Sequence, residues 1–252
     1  MADPVTVLCV GLSNTGKSTF INRILEENTA INSTPVSVRE GGQMTAVTVD
    51  VHEVRLELRE PPPSLRGRVL TLVDTPGFNH TDLSDLEVWQ KIENFSSKHR
   101  HGMNAILYFH AMTDDWISPQ MQLGINLLAK FWGPDAMRVV TIVTTKWDLV
   151  PKTNAQKRLE TLQAGLWKPL LDGGCKIEHL SADEGSSTLL HSILEGVHER
   201  PVKLRTQQGL EEEGGHATKT RQTWQRKLRG RSDEHSAALS ALRACFWPEA
   251  ND

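Results

Sequence analysis

The chain has 252 residues, a length that fits one large domain or one domain with an appendage. Of these residues 38% are hydrophobic and 23% are charged, which is typical of a soluble globular protein. Its net charge of −3 at pH 7 argues against a dedicated nucleic-acid-binding protein, which would carry a basic excess. Cys9, Cys175 and Cys245 lie far apart without a C-x-x-C pair, so we expect free thiols and a reducing, cytoplasmic location.

Strand-like and helix-like segments alternate along the first 200 residues. Apolar, β-branched runs predict six strands, at residues 5–10, 46–58, 68–74, 104–110, 137–145 and 176–180. Amphipathic segments predict helices at residues 17–26, 84–98, 118–131, 153–167 and 186–200. Such alternation favours a three-layer α/β domain with a mostly parallel six-stranded sheet. The turn "PPPSLRG" makes the second and third strands a hairpin, so one strand is expected to be antiparallel.

Residues 201–252 break this alternation, and we treat them as a C-terminal tail that follows a domain of residues 1–200. The tail turns from a glutamate run at 211–213 to a basic segment at 219–231, and residues 236–247 could form a helix. Two interpretations stay open. The helical extension either packs on the domain as part of a solvated tail, or it contacts acidic lipid or a protein partner through its basic residues.

The segment "GLSNTGKST", residues 11–19, matches the phosphate-binding pattern G-x-x-x-x-G-K-[ST] and lies between a predicted strand and a predicted helix. Backbone N–H groups at such a loop bind phosphate without charged side chains. Lys17 would reach the β- and γ-phosphates, and the Ser18 hydroxyl would ligate Mg²⁺. The predicted phosphate-binding residues are Gly11, Ser13, Asn14, Thr15, Gly16, Lys17, Ser18 and Thr19.

A second motif, "DTPGF", ends the strand expected to lie beside this loop. Asp74 would hold Mg²⁺ through a water molecule, and the N–H of Gly77 would approach a γ-phosphate. Loss of that phosphate would release the segment that follows. Phe78 stands where many nucleotide hydrolases have a glutamine that orients water, which it cannot do.

A third motif, "TTKWD", ends the strand at 137–145 and predicts the base. Asp148 can accept hydrogen bonds from the N1–H and 2-amino group of guanine, and adenine would leave this carboxylate unpaired. Lys146 would lay its aliphatic stem on the purine, and "LSA" at 180–182 would offer backbone N–H groups to the guanine O6. The predicted base-binding residues are Thr145, Lys146, Asp148, Ser181 and Ala182.

The order and spacing of these motifs resemble the translation-factor-related P-loop GTPases over about residues 5–200. The resemblance implies a G domain that binds GTP with Mg²⁺ and hydrolyses it slowly to GDP, acting as a molecular switch for unidentified effector or regulator proteins. Within this class, "DTPGF", the long loop before the second strand and "TKWD" look most like the septin and immunity-associated (AIG-type) branch, including small fungal G-domain proteins.

The resemblance also implies a switch threonine that ligates Mg²⁺ only when the γ-phosphate is present. Thr45 is the first candidate and Thr48 the second, because the loop has no firm register. The chain departs from the family pattern at two positions. Thr145 replaces the usual asparagine, which weakens one link to the phosphate loop, and Asp183 follows "SA" where lysine is common.

Catalytic help must come from a side chain other than Phe78. "SNTGKS" is similar to the "PNxGKS" loop of GTPases that bind K⁺, in which the asparagine coordinates the cation, so Asn14 is one candidate. The alternatives are that Asn14 only forms hydrogen bonds within the loop, and that an arginine comes from a partner or a nucleotide-dependent homodimer. The predicted catalytic set is Asn14, Lys17, Thr45 and Gly77.

Three functions are consistent with these motifs. The first is a slow GTPase switch, and the second is a GTP-dependent assembly or scaffold protein whose hydrolysis is incidental. The third is an ATP-dependent kinase or ATPase, which Asp148 and the lack of an arginine-rich lid segment disfavour.

Overall fold

A computed structural model of the chain describes residues 4–30, 48–99, 101–114, 117, 121–122, 125, 128–129, 132–180, 185–195 and 201–204. The chain divides into two units, residues 1–207 and 208–252. The second unit, with the predicted helix at 236–247, lies outside the described residues. Both interpretations of the tail therefore stay predictions.

The described strands form one sheet around a parallel centre. They are β1 (Val5–Gly11), β2 (Thr29–Ala30), β3 (His52–Glu57), β4 (Leu70–Asp74), β5 (Ala105–Ala111), β6 (Val140–Thr145) and β7 (Lys176–His179). Their order is β2-β3-β4-β1-β5-β6-β7. Strand β3 pairs antiparallel with both neighbours, and the other described pairings are parallel. The predicted fold class is confirmed, with the two-residue β2 added at one edge.

Helices cover both faces of the sheet, as predicted. They are α1 (Lys17–Glu27), α2 (Asp85–Lys98), α3 (Lys152–Ala164), α4 (Lys168–Asp172) and α5 (Ser186–Glu195). One apolar core includes residues of α2, α3 and α4, and the other includes residues of α1 and α5. The predicted helix at 118–131 lies mostly outside the described residues. No helix in the described part of the chain is long and apolar enough to cross a membrane.

Three element boundaries differ from the predictions. The strand predicted at 46–58 is observed as His52–Glu57, because its partner β4 ends at Asp74, opposite His52, and residues 48–51 therefore form no strand. The helix predicted at 153–167 ends at Ala164, and α4 starts separately, because Pro169 lacks the N–H that a continuous helix would bond to the carbonyl of Gly165. The strand predicted at 137–145 begins at Val140, since a 3₁₀-helix, Pro134–Val139, precedes it.

The first residues after 200, where the sequence predicted the start of the tail, pack in the core of the first unit. Val202 exchanges backbone hydrogen bonds of 2.8 and 2.9 Å with Met103. Val202 and Leu204 are buried in the core that also holds α2. Residues 201–204 are therefore part of the folded domain.

Candidate functional site

The three motifs meet at one edge of the sheet, where the parallel strands have their carboxyl ends. The phosphate loop, residues 11–19, follows β1, "DTPGF" follows β4, and the base motif follows β6. Because β1 lies next to β4, with β6 two strands away on the other side, the topology brings together segments distant in sequence. Ligands of open α/β sheets bind in such a crevice.

The phosphate loop is shaped mainly by its own backbone. Gly16 has φ +93°, a left-handed conformation that favours glycine, and α1 starts at the next residue. The Thr15 hydroxyl and the Lys17 ammonium both donate to the carbonyl oxygen of Leu12, each at 2.8 Å. Burial lowers the pKa of Lys17 to about 8, although the nearby Asp74 carboxylate opposes this shift. The loop therefore holds a buried amine for which phosphate would be a strong counter-charge.

Asn14 differs from its neighbours in the phosphate loop. It has φ +61° and an exposed side chain. That side chain forms no hydrogen bond with the described residues, so the hydrogen bonding within the loop that the sequence left open is not observed there. The amide is free to contact a cation or a phosphate.

Three oxygen-bearing side chains form a cluster behind the loop, which we call the hydroxyl–carboxylate cluster: Ser18, Thr48 and Asp74. Ser18 Oγ donates to Asp74 Oδ2 at 2.7 Å, Thr48 Oγ1 donates to the same oxygen at 3.3 Å, and the two hydroxyl oxygens are 3.2 Å apart. Asp74 is fully buried, and its Oδ1 has no hydrogen-bond partner among the described residues.

This cluster fits a divalent cation. Burial raises the pKa of Asp74, partly offset by Lys17 and by the hydroxyl groups of Ser18 and Thr48. Hydroxyl and carboxylate oxygens are the donors that Mg²⁺ prefers, and a cation would give the unpaired Oδ1 a counter-charge. In the described part of the chain, no group of three or more His, Cys, Asp or Glu side chains could hold a metal instead.

Of the two candidates for the switch threonine, the structure describes one. Thr45 lies outside the described residues, whereas Thr48 contacts both Ser18 and Asp74. The second candidate from the sequence is therefore the one that the structure places in the cluster.

Phe78 lies in the hydrophobic core rather than in the crevice. Its side chain is 1% exposed. Its backbone N–H donates to the carbonyl of Gly11 at 3.0 Å, and its carbonyl accepts from Ser13 N–H at 2.7 Å. A Cβ atom on Gly77 would lie 2.4 Å from the Ser13 nitrogen, so only glycine permits this close approach. Phe78 thus fastens "DTPGF" to the phosphate loop.

The base motif is joined to the phosphate loop by a side chain. Thr145, which stands where asparagine is usual, donates from its hydroxyl to the carbonyl of Thr15 at 2.8 Å. Asp148 has an exposed side chain in a short 3₁₀-helix, Trp147–Leu149, and Lys146 before it has φ +58°. Ser181, Ala182 and Asp183 lie outside the described residues.

Sequence reasoning missed a polar cluster beneath this motif. Thr144 Oγ1 accepts a hydrogen bond from Trp147 Nε1–H at 3.0 Å and lies 2.6 Å from His179 Nδ1. His110, on the strand beside Thr144, is buried and packs edge-to-face on Trp167. These contacts depend on the strand register, so no spacing in the sequence signals them.

Known proteins resemble this chain mainly in structure. Toc33 from Arabidopsis thaliana, in complex with Mg²⁺ and GMPPNP, has a TM-score of 0.55 and 16% identity over 78% of this chain and 88% of its own. Era, in complex with MgGDPNP and nucleotides 1506–1542 of 16S ribosomal RNA, has a TM-score of 0.51 and 20% identity over 79% of this chain and 58% of its own.

A third structure is described by the finding that dimerisation is important for the GTPase activity of the chloroplast translocon components atToc33 and psToc159. It has a TM-score of 0.52 and 14% identity over 77% of this chain and 83% of its own. At these identities the likeness shows the fold alone. No curated protein sequence matches the chain significantly.

A family model matches the sequence itself. It covers residues 6–143, more than half of the chain, and is described as 50S ribosome-binding GTPase. The matched region contains the phosphate loop and "DTPGF", which the structure brings together around Ser18 and Asp74. The chain therefore belongs to this family of P-loop GTPases.

Proposed function

We propose that this protein binds GTP with Mg²⁺, hydrolyses it slowly to GDP, and acts as a molecular switch. The observation that carries the proposal is the contact of Ser18, Thr48 and Asp74, which come from the phosphate loop, the segment before β3 and the end of β4. One ion bound at this point would contact all three segments, so its binding would couple their positions.

In this proposal, Ser18 and Thr48 ligate Mg²⁺ directly and Asp74 acts through water. Thr45, the first candidate from the sequence, lies outside the described residues and stays the alternative for this role. Held there, the ion would supply positive charge that neutralises the negative charge developing on the phosphates during hydrolysis. Lys17 would donate to phosphate oxygens, and the N–H groups of residues 13–19 would bind the other phosphate oxygens.

Base selection would lie with the turn after β6. Asp148 accepts from the guanine N1–H and 2-amino group, Lys146 covers the purine face, and Ser181 and Ala182 contact O6 through their backbone. The exposed carboxylate of Asp148 is free to meet an incoming base. Thr145 would keep this turn at a constant distance from the phosphate loop through its bond to Thr15.

The slow rate follows from the position of Phe78. Since its side chain lies in the core, the motif brings no side chain at this position to orient an attacking water. We propose K⁺ coordinated by Asn14 as one source of catalytic help, because this amide is exposed beside the phosphate loop. Equal GTP turnover in KCl and NaCl at matched ionic strength would rule this out.

A second copy of the chain is the other source of help that we consider. Dimerisation is described as important for GTPase activity in atToc33 and psToc159, whose fold this chain shares. This supports the alternative function, a GTP-dependent assembly protein with incidental hydrolysis. Sedimentation with GDP and with GMPPNP distinguishes the two, since a switch that stays monomeric in both states excludes assembly through this chain alone.

Nucleotide competition tests the main proposal directly. GTP should displace a fluorescent guanine nucleotide, and ATP should fail to do so at the same concentration. Asp148→Ala should abolish this preference while the weak binding of ATP stays constant; Asp135→Ala, another exposed carboxylate, is the matched control. A preference for ATP would contradict the proposal and favour the kinase or ATPase alternative.

Three finer predictions rest on the sequence alone and stay proposals. They are the placement near the septin and AIG-type branch, the cytoplasmic location, and the contact of the basic tail at 219–231 with acidic lipid or a partner. The effector proteins of the switch are not identified by any described residue.

A further inference from the structure

A polar row crosses three strands beneath the base motif. His110, Thr144 and His179 occupy matching register positions on β5, β6 and β7. Side chains at matching positions of parallel strands point to the same face. Thr144, in the middle, is fully buried, so each of its polar atoms needs a partner.

The Thr144 hydroxyl has three polar neighbours and can form a hydrogen bond with each of them. Trp147 Nε1–H donates to it at 3.0 Å, it donates to the carbonyl of Glu178 at 3.1 Å, and His179 Nδ1 lies 2.6 Å away. A hydroxyl has one hydrogen and two lone pairs. The Thr144 hydroxyl donates its hydrogen to the Glu178 carbonyl and accepts from Trp147 with one lone pair. Its second lone pair accepts from His179 when the hydrogen of the imidazole is on Nδ1, so all three hydrogen bonds can form together.

The backbone of Thr144 extends this junction to the second base-binding segment. Its carbonyl accepts the N–H of Leu180 at 2.8 Å, directly before Ser181 and Ala182. Trp147 also packs edge-to-face on His179, with ring centroids 4.8 Å apart. One residue therefore connects the turn after β6 with the segment after β7.

The turn after β6 needs such an anchor. Lys146 has φ +58°, a conformation that is unfavourable for a residue with a Cβ atom. The backbone bonds that close the turn, from Leu149 to Lys146 and from Val150 to Trp147, are long at 3.3 and 3.4 Å. The Trp147–Thr144 bond is shorter and comes from a buried partner, so it holds the turn that carries Asp148.

We propose that Thr144, Trp147 and His179, the Thr144 cluster, are positioning residues that set the selectivity for guanine by fixing the orientation of Asp148. This inference rests on the proposed function. Hydrogen bonds to a base edge weaken steeply with angle, so a small rotation of the turn would cost guanine its two bonds. Phosphate binding, supplied by residues 11–19, would persist.

The test compares isosteric and conservative variants of one residue. Thr144→Val removes the hydroxyl, Thr144→Ser keeps it, and Thr141→Val removes a hydroxyl from the same strand far from the base motif. Competition binding with Mg·GDP and Mg·ADP gives the GDP:ADP affinity ratio for each. We expect the ratio to fall about tenfold in Thr144→Val and to stay within about threefold of wild type in the other two.

Thermal unfolding separates positioning from stability. A Thr144→Val variant that melts lower than wild type but keeps the wild-type ratio would overturn the inference. Should that variant fail to fold, Trp147→Phe removes the indole N–H donor and keeps a smaller aromatic ring at this half-buried position, and an unchanged ratio there has the same meaning. A wild-type protein without preference for GDP over ADP would overturn the proposed function together with this inference.

Discussion

The phosphate side and the base side of the site are built in different ways. On the phosphate side, backbone groups dominate, and Lys17, Asp74 and Phe78 are buried. On the base side, Asp148 is exposed and its turn is held by the hydroxyls of Thr144 and Thr145. A phosphate group is highly charged, so backbone N–H groups can bind it without a specific side chain. A base is distinguished by the donors and acceptors along its edge, so its recognition needs side chains held in a fixed orientation.

This difference predicts two kinds of variant. Changes on the phosphate side should weaken all nucleotides alike or unfold the protein. Changes on the base side should alter the preference among nucleotides at nearly constant phosphate affinity.

The strongest test of the rigid phosphate side is Phe78→Ala. Removing the aromatic ring of Phe78 from the core should lower the free energy of unfolding by about 3–5 kcal/mol, although its backbone bonds to the phosphate loop would remain. Urea denaturation measures this, and Phe78→Leu, which keeps an apolar side chain, should lose clearly less. A loss below about 1 kcal/mol would mean that the ring contributes little to the core.

Lowering the pH should reduce the stability of the folded protein through His110, which lies beneath the base motif. Burial lowers its pKa from 6.5 to about 4, so the folded state keeps this imidazole neutral. Its contribution is therefore complete above pH 6.5 and is lost as the pH falls from 6.5 toward 4. The loss should reach about 3 kcal/mol.

The control for this pH effect is His110→Phe, which cannot titrate and keeps an aromatic ring beside Trp167. Denaturation at a series of pH values should give a flatter curve for this variant than for wild type. Parallel curves would show that His110 does not cause the acid loss.

Lys17→Ala sharpens the comparison on the phosphate side. Losing a charge-assisted donor should lower the affinity for GDP and for ADP alike by about a hundredfold, since neither base contacts this side chain. Isothermal titration measures both affinities, and Lys152→Ala, an exposed lysine at the start of α3, should change neither. A changed GDP:ADP affinity ratio in Lys17→Ala would contradict the claim that the phosphate side contributes nothing to the choice of base.

Thr48→Ala gives the smallest effect and decides the register of the switch. With Mg²⁺ present, affinity for GMPPNP should fall about tenfold and affinity for GDP about twofold at most, because a switch threonine ligates Mg²⁺ only when the γ-phosphate is bound. Thr48→Ser should behave like wild type. If Thr45→Ala shows this pattern and Thr48→Ala does not, Thr45 is the switch threonine.

Most of the architecture was predictable because its signals are local. Each of the six predicted strands appears, and α2 begins within one residue of its predicted start because Ser84 and Glu87 form a capping box there. The errors came where local patterns end differently in context. Residues 137–139, predicted as the start of a strand, lie in a 3₁₀-helix, and the helix predicted to end at 167 ends at Ala164, before the separate helix that contains Pro169.

The sequence by itself determined the phosphate loop, the γ-phosphate motif and the base motif, because each acts through residues close together in the chain. Only the tertiary structure decided that Thr48 contacts Ser18, that Phe78 enters the core, and that Thr144 joins two segments predicted to bind the base. Most of these contacts join positions that are distant in the chain and that the order of the strands in the sheet brings together. A one-residue change of register would move each side chain to the other face, and spacing along the chain does not specify register.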